Sequence, residues 1–157
     1  MKSVHDIKNQ YYVEKMGPDD LSALMELESL CFNYHWSEKQ FKLGLERGAF
    51  HVLGVRDGDK ISGYLAYSIL LDEMEILNLG VRPESRRKGI GLKLMLTLLQ
   101  KCRDMGIQKG LLDVKKSNTP AIRLYESLGF KKTGVRKKYY PDTKEDAILY
   151  NLDLNES

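Results

Sequence analysis

The sequence contains little cysteine and no long apolar segment. Cys31 and Cys102 are the two cysteines among 157 residues, and their spacing fits neither a disulfide framework nor a metal-binding motif. The longest apolar run, residues 64–71, is too short to cross a membrane. Residues 1–6 contain no apolar core of a signal peptide. We therefore expect a cytoplasmic protein rather than a secreted disulfide scaffold or a membrane protein.

The sequence also lacks a large excess of charge of either sign. The 25 basic and 22 acidic residues leave a net charge of +3, and 42% of the residues are hydrophobic, which excludes the composition of a disordered chain. Basic residues cluster at 86–88, 131–132 and 136–138. They permit an anionic ligand, but the extended basic stripe and surface aromatics of a nucleic-acid binder are missing. Without a linker or repeat, the length predicts one domain over residues 1–157.

Periodicity predicts a mixed α/β fold in which helices pack on a central sheet. Ser37, with Gln40 three residues later, predicts a helix N-cap, and Gly106 and Gly129 predict helix ends. The predicted order is a strand at 10–16, a helix at 18–31, a helix after Ser37, strands at 50–55, 61–71 and 75–81, a helix between Lys88 and Gly106, a strand at 111–114, a helix between Thr119 and Gly129, and strands at 130–139 and 147–154.

The segment 81–91 joins a predicted strand to the strongest predicted helix. Gly89 and Gly91 lie at the helix start, where glycine lets a ligand approach the backbone closely. The unpaired N–H groups and the positive dipole end of a first helical turn favour phosphate, and three cationic side chains precede them. The segment lacks the Gly-Lys-Ser/Thr ending of a P-loop. It predicts another kind of anion site, with a solvated surface turn as the alternative.

The pattern Arg86-x-x-Gly89-x-Gly91, after a strand and at the start of a helix, resembles the acetyl-CoA signature of the GNAT N-acetyltransferases. The predicted order of elements resembles that fold too. Within the superfamily, the chain is similar to the RimI-type ribosomal-protein-alanine N-acetyltransferases over about residues 72–152. The segments that carry this similarity are 76–81, 117–118, 121–130, 136–141 and 145–147, with a weaker match at 36–38.

The resemblance implies a mostly antiparallel sheet with splayed parallel middle strands and flanking helices. It also implies acetyl-CoA as the co-substrate, with the pantetheine arm between the splayed strands and the pyrophosphate on the loop. The backbone N–H near Leu79 would polarise the thioester carbonyl, and Asn118 is expected to cap a helix as well. The implied cofactor-binding residues are Leu79, Gly80, Val81, Arg86, Arg87, Lys88, Gly89, Ile90, Gly91, Leu92 and Asn118.

Two catalytic residues follow from the same resemblance. Tyr125 corresponds to the tyrosine that protonates the departing CoA thiolate, a transfer that needs a modest downward shift of its pKa from about 10. Asp113 stands where the family carries a glutamate as general base. Asp113 either acts as the base, directly or through a water, or only accepts hydrogen bonds from backbone N–H groups. Glu75 is a candidate substitute for the base. Direct attack by the amine needs no acetyl-cysteine, and both cysteines are expected outside the cleft.

The predicted acceptor is a protein N-terminal α-amine. An α-amine has a pKa of about 7.7–8.0 and is partly neutral at pH 7, whereas a lysine amine near 10.4 is almost wholly charged. Trp36, Glu75 and Tyr140 are candidates for substrate contact, with a hairpin-stabilising aromatic pair as the alternative for Tyr140. Lysine or small-molecule acetylation and a weakly catalytic acetyl-CoA-binding module are the other candidate functions. We expect the partner to be a protein N-terminus, with a ribosomal protein as a candidate, and we expect no metal, nucleic acid or membrane to be bound. The expected assembly is a monomer or weak homodimer.

Overall fold

The computed structural model describes residues 11–32 and 36–155. The strands are β1 (Val13–Met16), β2 (His51–Asp57), β3 (Lys60–Leu70), β4 (Glu73–Val81), β5 (Lys109–Lys115), β6 (Lys131–Arg136) and β7 (Ala147–Asp153). The α-helices are α1 (Leu21–Cys31), α2 (Glu38–Arg47), α3 (Ile90–Asp104) and α4 (Thr119–Ser127). Among the helices of these two ranges, none is long and apolar enough to span a membrane.

The strands form one seven-stranded sheet in the order β1-β2-β3-β4-β5-β7-β6. Neighbouring strands pair antiparallel except for β4 and β5, which are parallel. The predicted mixed α/β fold and its element order are thereby confirmed. The strand predicted at 130–139 was too long, because the chain turns after Arg136 and Lys138 has a left-handed φ of 50°. Gln10, the predicted start of the first strand, lies outside the described residues, as do residues 1–6.

Local sequence signals explain where α2 begins and ends. The Ser37 side chain accepts a hydrogen bond from the Gln40 backbone N–H (3.1 Å), and the Gln40 side chain accepts one from the Ser37 backbone N–H (3.0 Å). This reciprocal capping satisfies two N–H groups that would otherwise be unpaired. Gly48 ends the helix in a left-handed conformation (φ 67°), which glycine adopts without strain.

Two apolar cores lie on opposite faces of the sheet. Helices α1 and α2 cover one face, where Leu24, Leu27 and Phe41 are fully buried. Helix α3 covers the other face with an apolar stripe that includes Leu94 and Leu98. Because burial of apolar surface on both faces stabilises the sheet, the central strands β3 and β4 are held between two layers of helices.

Candidate active site

Strands β4 and β5 separate partway along their length. Their parallel pairing extends from Glu73 and Lys109 to Ile76 and Leu112, and no later residues of the two strands pair. The gap beyond this point opens a cavity of about 820 Å³, a volume within the range of small-molecule binding sites. The predicted splay of the middle strands is therefore confirmed.

A β-bulge turns β4 at the start of the gap. On β3, Ala66 pairs with Asn78 and Tyr67 pairs with Ile76, so that Leu77 is an extra residue without a partner. A bulge bends its strand and increases the local twist. This one therefore directs the end of β4 away from β5.

The register brings three polar side chains of the gap to one face of the sheet. Tyr64 belongs to the core beneath α1 and α2, and the pairing of β3 with β4 puts Asn78 and Glu75 on that same face. Asp113 lies two residues beyond the β5 partner of Glu75 and shares the face. We call this surface, with Glu75, Asn78 and Asp113, the acceptor face.

The loop between β4 and α3 presents backbone N–H groups at the far end of the gap. Arg87 and Gly89 have left-handed conformations, with φ of 64° and 85°, whereas the other residues of this loop have negative φ angles. Such an alternation of conformations gathers successive backbone N–H groups on one side of the loop. Gly89 is the N-cap of α3, so the unpaired N–H groups of the first helical turn lie here. The Ile90 side chain is buried, which leaves its backbone for contact with a ligand.

Packing at Gly91 leaves room for a side chain. A Cβ atom at this position would approach Leu124 no closer than 3.5 Å, an ordinary contact, so packing inside the protein does not require glycine here. The open backbone, the positive end of α3 and the exposed basic side chains before it fit the pyrophosphate of acetyl-CoA. Arg86 also stabilises the turn, because its Nε donates to the Val81 carbonyl oxygen (3.0 Å).

A buried arginine anchors this loop to the rest of the fold. Arg82 is 4% exposed, and its guanidinium donates twice to the Ile61 carbonyl oxygen (3.2 and 3.0 Å) and pairs with Glu26 (2.7 Å). Its backbone N–H donates to the Ser62 carbonyl oxygen (2.7 Å). The loop start is thereby tied to β3 and α1. Nothing in the sequence distinguishes this arginine from its solvated neighbours.

Of the predicted cofactor residues, only Leu79 and Asn118 are among the described residues that line the cavity. Leu79 lines the cavity, whereas Gly80 is buried, and a Cβ atom there would come within 3.0 Å of Tyr64 and 3.2 Å of Cys31. Asn118 lines the cavity and caps α4, since its side chain accepts a hydrogen bond from an N–H of the first helical turn (3.3 Å). The predicted helix cap is confirmed, and the cofactor contact of Asn118 stays a prediction.

Tyr125, the predicted acid, lies on the wall of the cavity. Its side chain is 5% exposed, and its ring meets Phe130 edge-on with 5.9 Å between centroids. Within the described part of the chain, its hydroxyl has no hydrogen-bond partner and is therefore available to a ligand. Burial, with a smaller contribution from Tyr140, raises the pKa of Tyr125 above its usual value. The expected downward shift was wrong, because desolvation disfavours the phenolate.

The two candidate bases occupy different positions on the acceptor face. Asp113 is half-buried and lies just beyond the last paired residues of β4 and β5. Glu75 is exposed and lies in the paired part of β4. Both line the cavity, and neither has a hydrogen bond or ion pair with any residue in 11–32 or 36–155. Asp113 therefore shows no backbone N–H contact within these ranges, contrary to the purely structural alternative.

Trp36, which directly precedes the N-cap of α2, forms part of the cavity wall. Its ring lies 5.4 Å from Phe41 and 4.9 Å from Phe50 between centroids, in tilted arrangements. Aromatic pairs in this geometry add stability beyond their buried area. The edge of a rigid aromatic cluster therefore borders the acceptor side of the cavity.

Tyr140 lies on the same side, in the turn between β6 and β7. Lys115 Nζ lies 5.2 Å from the centroid of its ring and forms an ion pair with Asp142 (2.8 Å). Burial, followed by the negative charge of Asp113, raises the pKa of Tyr140 to about 12. The contact with Lys115 fastens the turn to the end of β5, so Tyr140 is more than one half of an aromatic pair.

A carboxylate that sequence reasoning missed lies beneath the acceptor face. Glu28 is fully buried on α1 yet borders the cavity. It accepts hydrogen bonds from the Tyr64 hydroxyl, the Trp36 backbone N–H (3.4 Å) and the Asn78 side chain (3.5 Å). The available signal was its spacing, since it follows Leu24 at helical interval on the buried face of α1. Glu28 connects α1, β3, β4 and the start of α2.

Cys31 contradicts the expectation that both cysteines lie outside the cleft. It borders the cavity at the end of α1, and its Sγ donates to the Val81 carbonyl oxygen (3.4 Å). Burial raises the pKa of this thiol, which keeps it protonated and weakly nucleophilic. Cys102, in contrast, is buried in the core beneath α3, as expected.

Comparison with known proteins defines the class. Residues 21–130 match the acetyltransferase (GNAT) family. The chain belongs to this family and is an acetyltransferase, and acetyl-CoA is the acetyl donor that the family uses. The splayed strands and the glycine-containing loop are the parts of this structure that fit that donor.

Relatives with a more specific description are similar to this protein over almost the whole chain. The [ribosomal protein bS18]-alanine N-acetyltransferase of Salmonella typhimurium is 33% identical, over 89% of this chain and 95% of that protein. The protein of the same description from Escherichia coli strain K12 is 32% identical, over 91% of this chain and 97% of that protein. The crystal structure of the ribosomal-protein-S18-alanine N-acetyltransferase from Escherichia coli has a TM-score of 0.86 and 31% identity, over 94% of this chain and 96% of that one.

Proposed function

We propose that this chain acetylates the N-terminal α-amine of a protein, with the N-terminal alanine of ribosomal protein bS18 as the first acceptor to test. The observation that carries the proposal is the similarity, over about nine tenths of the chain, to relatives described by this activity. The cavity between the splayed strands supports it, because it is open to a flexible N-terminus on the acceptor face. We also propose that residues 1–157 form one acetyltransferase domain, which the single sheet supports.

The proposed binding of acetyl-CoA uses backbone groups more than side chains. The N–H groups at the start of α3 hold the pyrophosphate, and the unpaired edge of β4 beyond Ile76 receives the pantetheine arm. The backbone N–H near Leu79 polarises the thioester carbonyl. The residues assigned to this role are Leu79, Gly80, Val81, Arg86, Arg87, Lys88, Gly89, Ile90, Gly91, Leu92 and Asn118.

The proposed chemistry divides two proton transfers between two walls of the cavity. Asp113, on the acceptor face, takes a proton from the attacking amine, directly or through a water. Attack on the thioester carbonyl forms a C–N bond, and the C–S bond then breaks. Tyr125, on the opposite wall, gives a proton to the departing sulfur. Trp36, Glu75 and Tyr140 contact the acceptor.

The acidity of the acceptor supports an α-amine over a lysine side chain. At a pKa of about 7.7–8.0, roughly a tenth of α-amines are neutral at pH 7, against roughly one in 2500 for lysine near 10.4. A carboxylate such as Asp113 is a weak base, since its usual pKa is near 3.9. It is therefore better matched to an amine that is already partly neutral.

The remaining expectations are proposals of the same kind. We place the activity in the cytoplasm, where ribosomal proteins are made, and propose a monomer or weak homodimer that acts on protein rather than on nucleic acid or membranes. Direct transfer needs one base and one acid, both of which side chains supply, so we propose that no metal takes part. Dialysis against a chelator should leave turnover unchanged, and size-exclusion chromatography should report the assembly.

The decisive experiment measures CoA release from acetyl-CoA with a panel of amines. The panel holds peptides with free Ala, Ser and Met N-termini, an N-blocked lysine peptide and spermidine. Turnover that is fastest with the Ala peptide supports the proposal. Turnover only with lysine or spermidine would assign a different acceptor to the same fold. Binding of acetyl-CoA without turnover on any amine would favour a binding module, with Asp113→Glu as the next variant.

A further inference from the structure

The acceptor side of the cavity has a strongly unequal charge. Lys115 is the one cationic side chain on the described part of its wall. Carboxylates outnumber it several-fold, and at short range they favour a positively charged ligand. The carboxylates that line the cavity are Glu28, Glu75, Asp113, Asp142 and Glu145.

Most of these carboxylates are already engaged by the protein. Asp142 pairs with Lys115 (2.8 Å), Glu145 accepts a hydrogen bond from the Ser117 backbone N–H (3.1 Å), and Glu28 is buried beneath the wall. Asp113 is assigned to the base in the proposed function. Glu75 remains, exposed on the acceptor face.

The position of Glu75 along β4 sets what it can reach. Leu79, where the thioester carbonyl is proposed to bind, lies four positions beyond Glu75 on β4, with the Leu77 bulge between them. At about 3.3 Å per residue, this separation is roughly 10–13 Å. An extended peptide also advances about 3.3–3.6 Å per residue. Glu75 is therefore too far to contact the reacting amine. The second and third residues of an acceptor that extends along the acceptor face have their Cα atoms roughly 5–9 Å from that amine, so a long cationic side chain on either residue reaches towards Glu75.

We propose that Glu75 is a specificity-determining residue that selects acceptors with arginine or lysine at the second or third position. This inference rests on the proposed acetylation of a protein N-terminus. An ion pair in a partly enclosed cavity is screened less than one in open solvent, so the charge of a single side chain changes acceptor affinity measurably. The same assignment removes Glu75 from the role of substitute base.

The test uses short peptides that begin with Ala and differ only at the second or third position, where each carries Arg, Gln or Glu. The ratio of kcat/KM for the Arg peptide to that for the Glu peptide is measured for the wild type, Glu75→Gln and Glu75→Lys. Glu73→Gln is the matched control, because Glu73 lies two residues earlier on the same face of β4 and is not among the residues that line the cavity.

We expect the wild type to favour Arg over Glu by about tenfold or more at one of these positions. Glu75→Gln should remove most of this preference through KM, Glu75→Lys should reverse it, and Glu73→Gln should keep it. Equal use of all peptides by the wild type, or equal effects of Glu73→Gln and Glu75→Gln, would overturn the inference and leave the proposed function intact. A fall in kcat on every peptide would instead make Glu75 the base. Failure of the wild type on all α-amine peptides would refute the proposed function itself.

Discussion

Removal of the Tyr125 hydroxyl should separate catalysis from stability. Tyr125→Phe keeps the ring that packs against Phe130 with 5.9 Å between centroids. No residue of the described chain bonds to the hydroxyl, so no internal hydrogen bond is lost. The free energy of unfolding should therefore change by less than about 1 kcal/mol.

The expected loss of activity follows from the role of a general acid. Proton donation in the transition state contributes about 10²–10⁴-fold, and a 100-fold loss of kcat is about 2.7 kcal/mol at 1.36 kcal/mol per tenfold. Burial raises the pKa of Tyr125, which alone would weaken it as an acid. The same cavity also raises the pKa of a thiol within it. This second effect acts against the first, because it makes the departing thiolate a stronger base.

Tyr150→Phe provides a matched control outside the cavity. The Tyr150 hydroxyl donates to the Glu126 carboxylate (3.0 Å), so its removal should lower the free energy of unfolding by about 1.5 kcal/mol and leave kcat unchanged. CoA release under saturating substrates, acetyl-CoA titration calorimetry and thermal unfolding are measured for both variants. If the single-turnover rate constant of Tyr125→Phe is within threefold of that of the wild type, the assignment of Tyr125 as the acid is refuted.

Three further changes test other parts of the site. Asp113→Asn should lower kcat/KM for an α-amine peptide at least tenfold at pH 7 and by less at pH 9, where the amine is largely neutral. Asp113→Glu should retain activity. If Asp113→Asn has the same kcat/KM as the wild type at both pH values, another group is the base. Gly89→Ala forces a side chain into a left-handed conformation (φ 85°) at about 1–2 kcal/mol, and calorimetry should show weaker acetyl-CoA binding with little change in kcat. Cys31→Ser should leave turnover intact, and mass spectrometry should find no acetyl-enzyme; loss of turnover in a folded variant would favour a covalent route.

Local signals in the sequence predicted the elements well, because the residues that determine them are close together. Ser37 and Gln40, which form the capping pair, lie three positions apart, and the loop before α3 contains its glycines and basic residues within one short segment. Such features depend on backbone conformation and helix termini. They do not depend on which distant strand lies nearby, so they can be predicted without a structure.

The walls of the cavity could be predicted only in part, because they combine residues that are far apart in the chain. Glu28 meets Tyr64 across 36 positions, and Cys31 meets Val81 across 50. Helical spacing predicts that both residues of α1 are buried. It does not say whether the buried face meets apolar core or the edge of a ligand cavity, and the family resemblance filled that gap for Tyr125 and not for Glu28.

The splay itself explains why a thioester with an amide-containing arm suits this fold. Strand β4 is paired with β3 along its length except at the Leu77 bulge, and β5 is paired with β7 throughout. Each strand therefore keeps its place when their shared edge opens after Ile76 and Leu112. The inner edges then carry backbone N–H and C=O groups that no neighbouring strand satisfies. A ligand with amides in an extended chain can pair with such an edge as an added strand does. In the proposed function, the reactive end of this ligand lies beside the acceptor face, where the carboxylates of the protein meet the incoming amine.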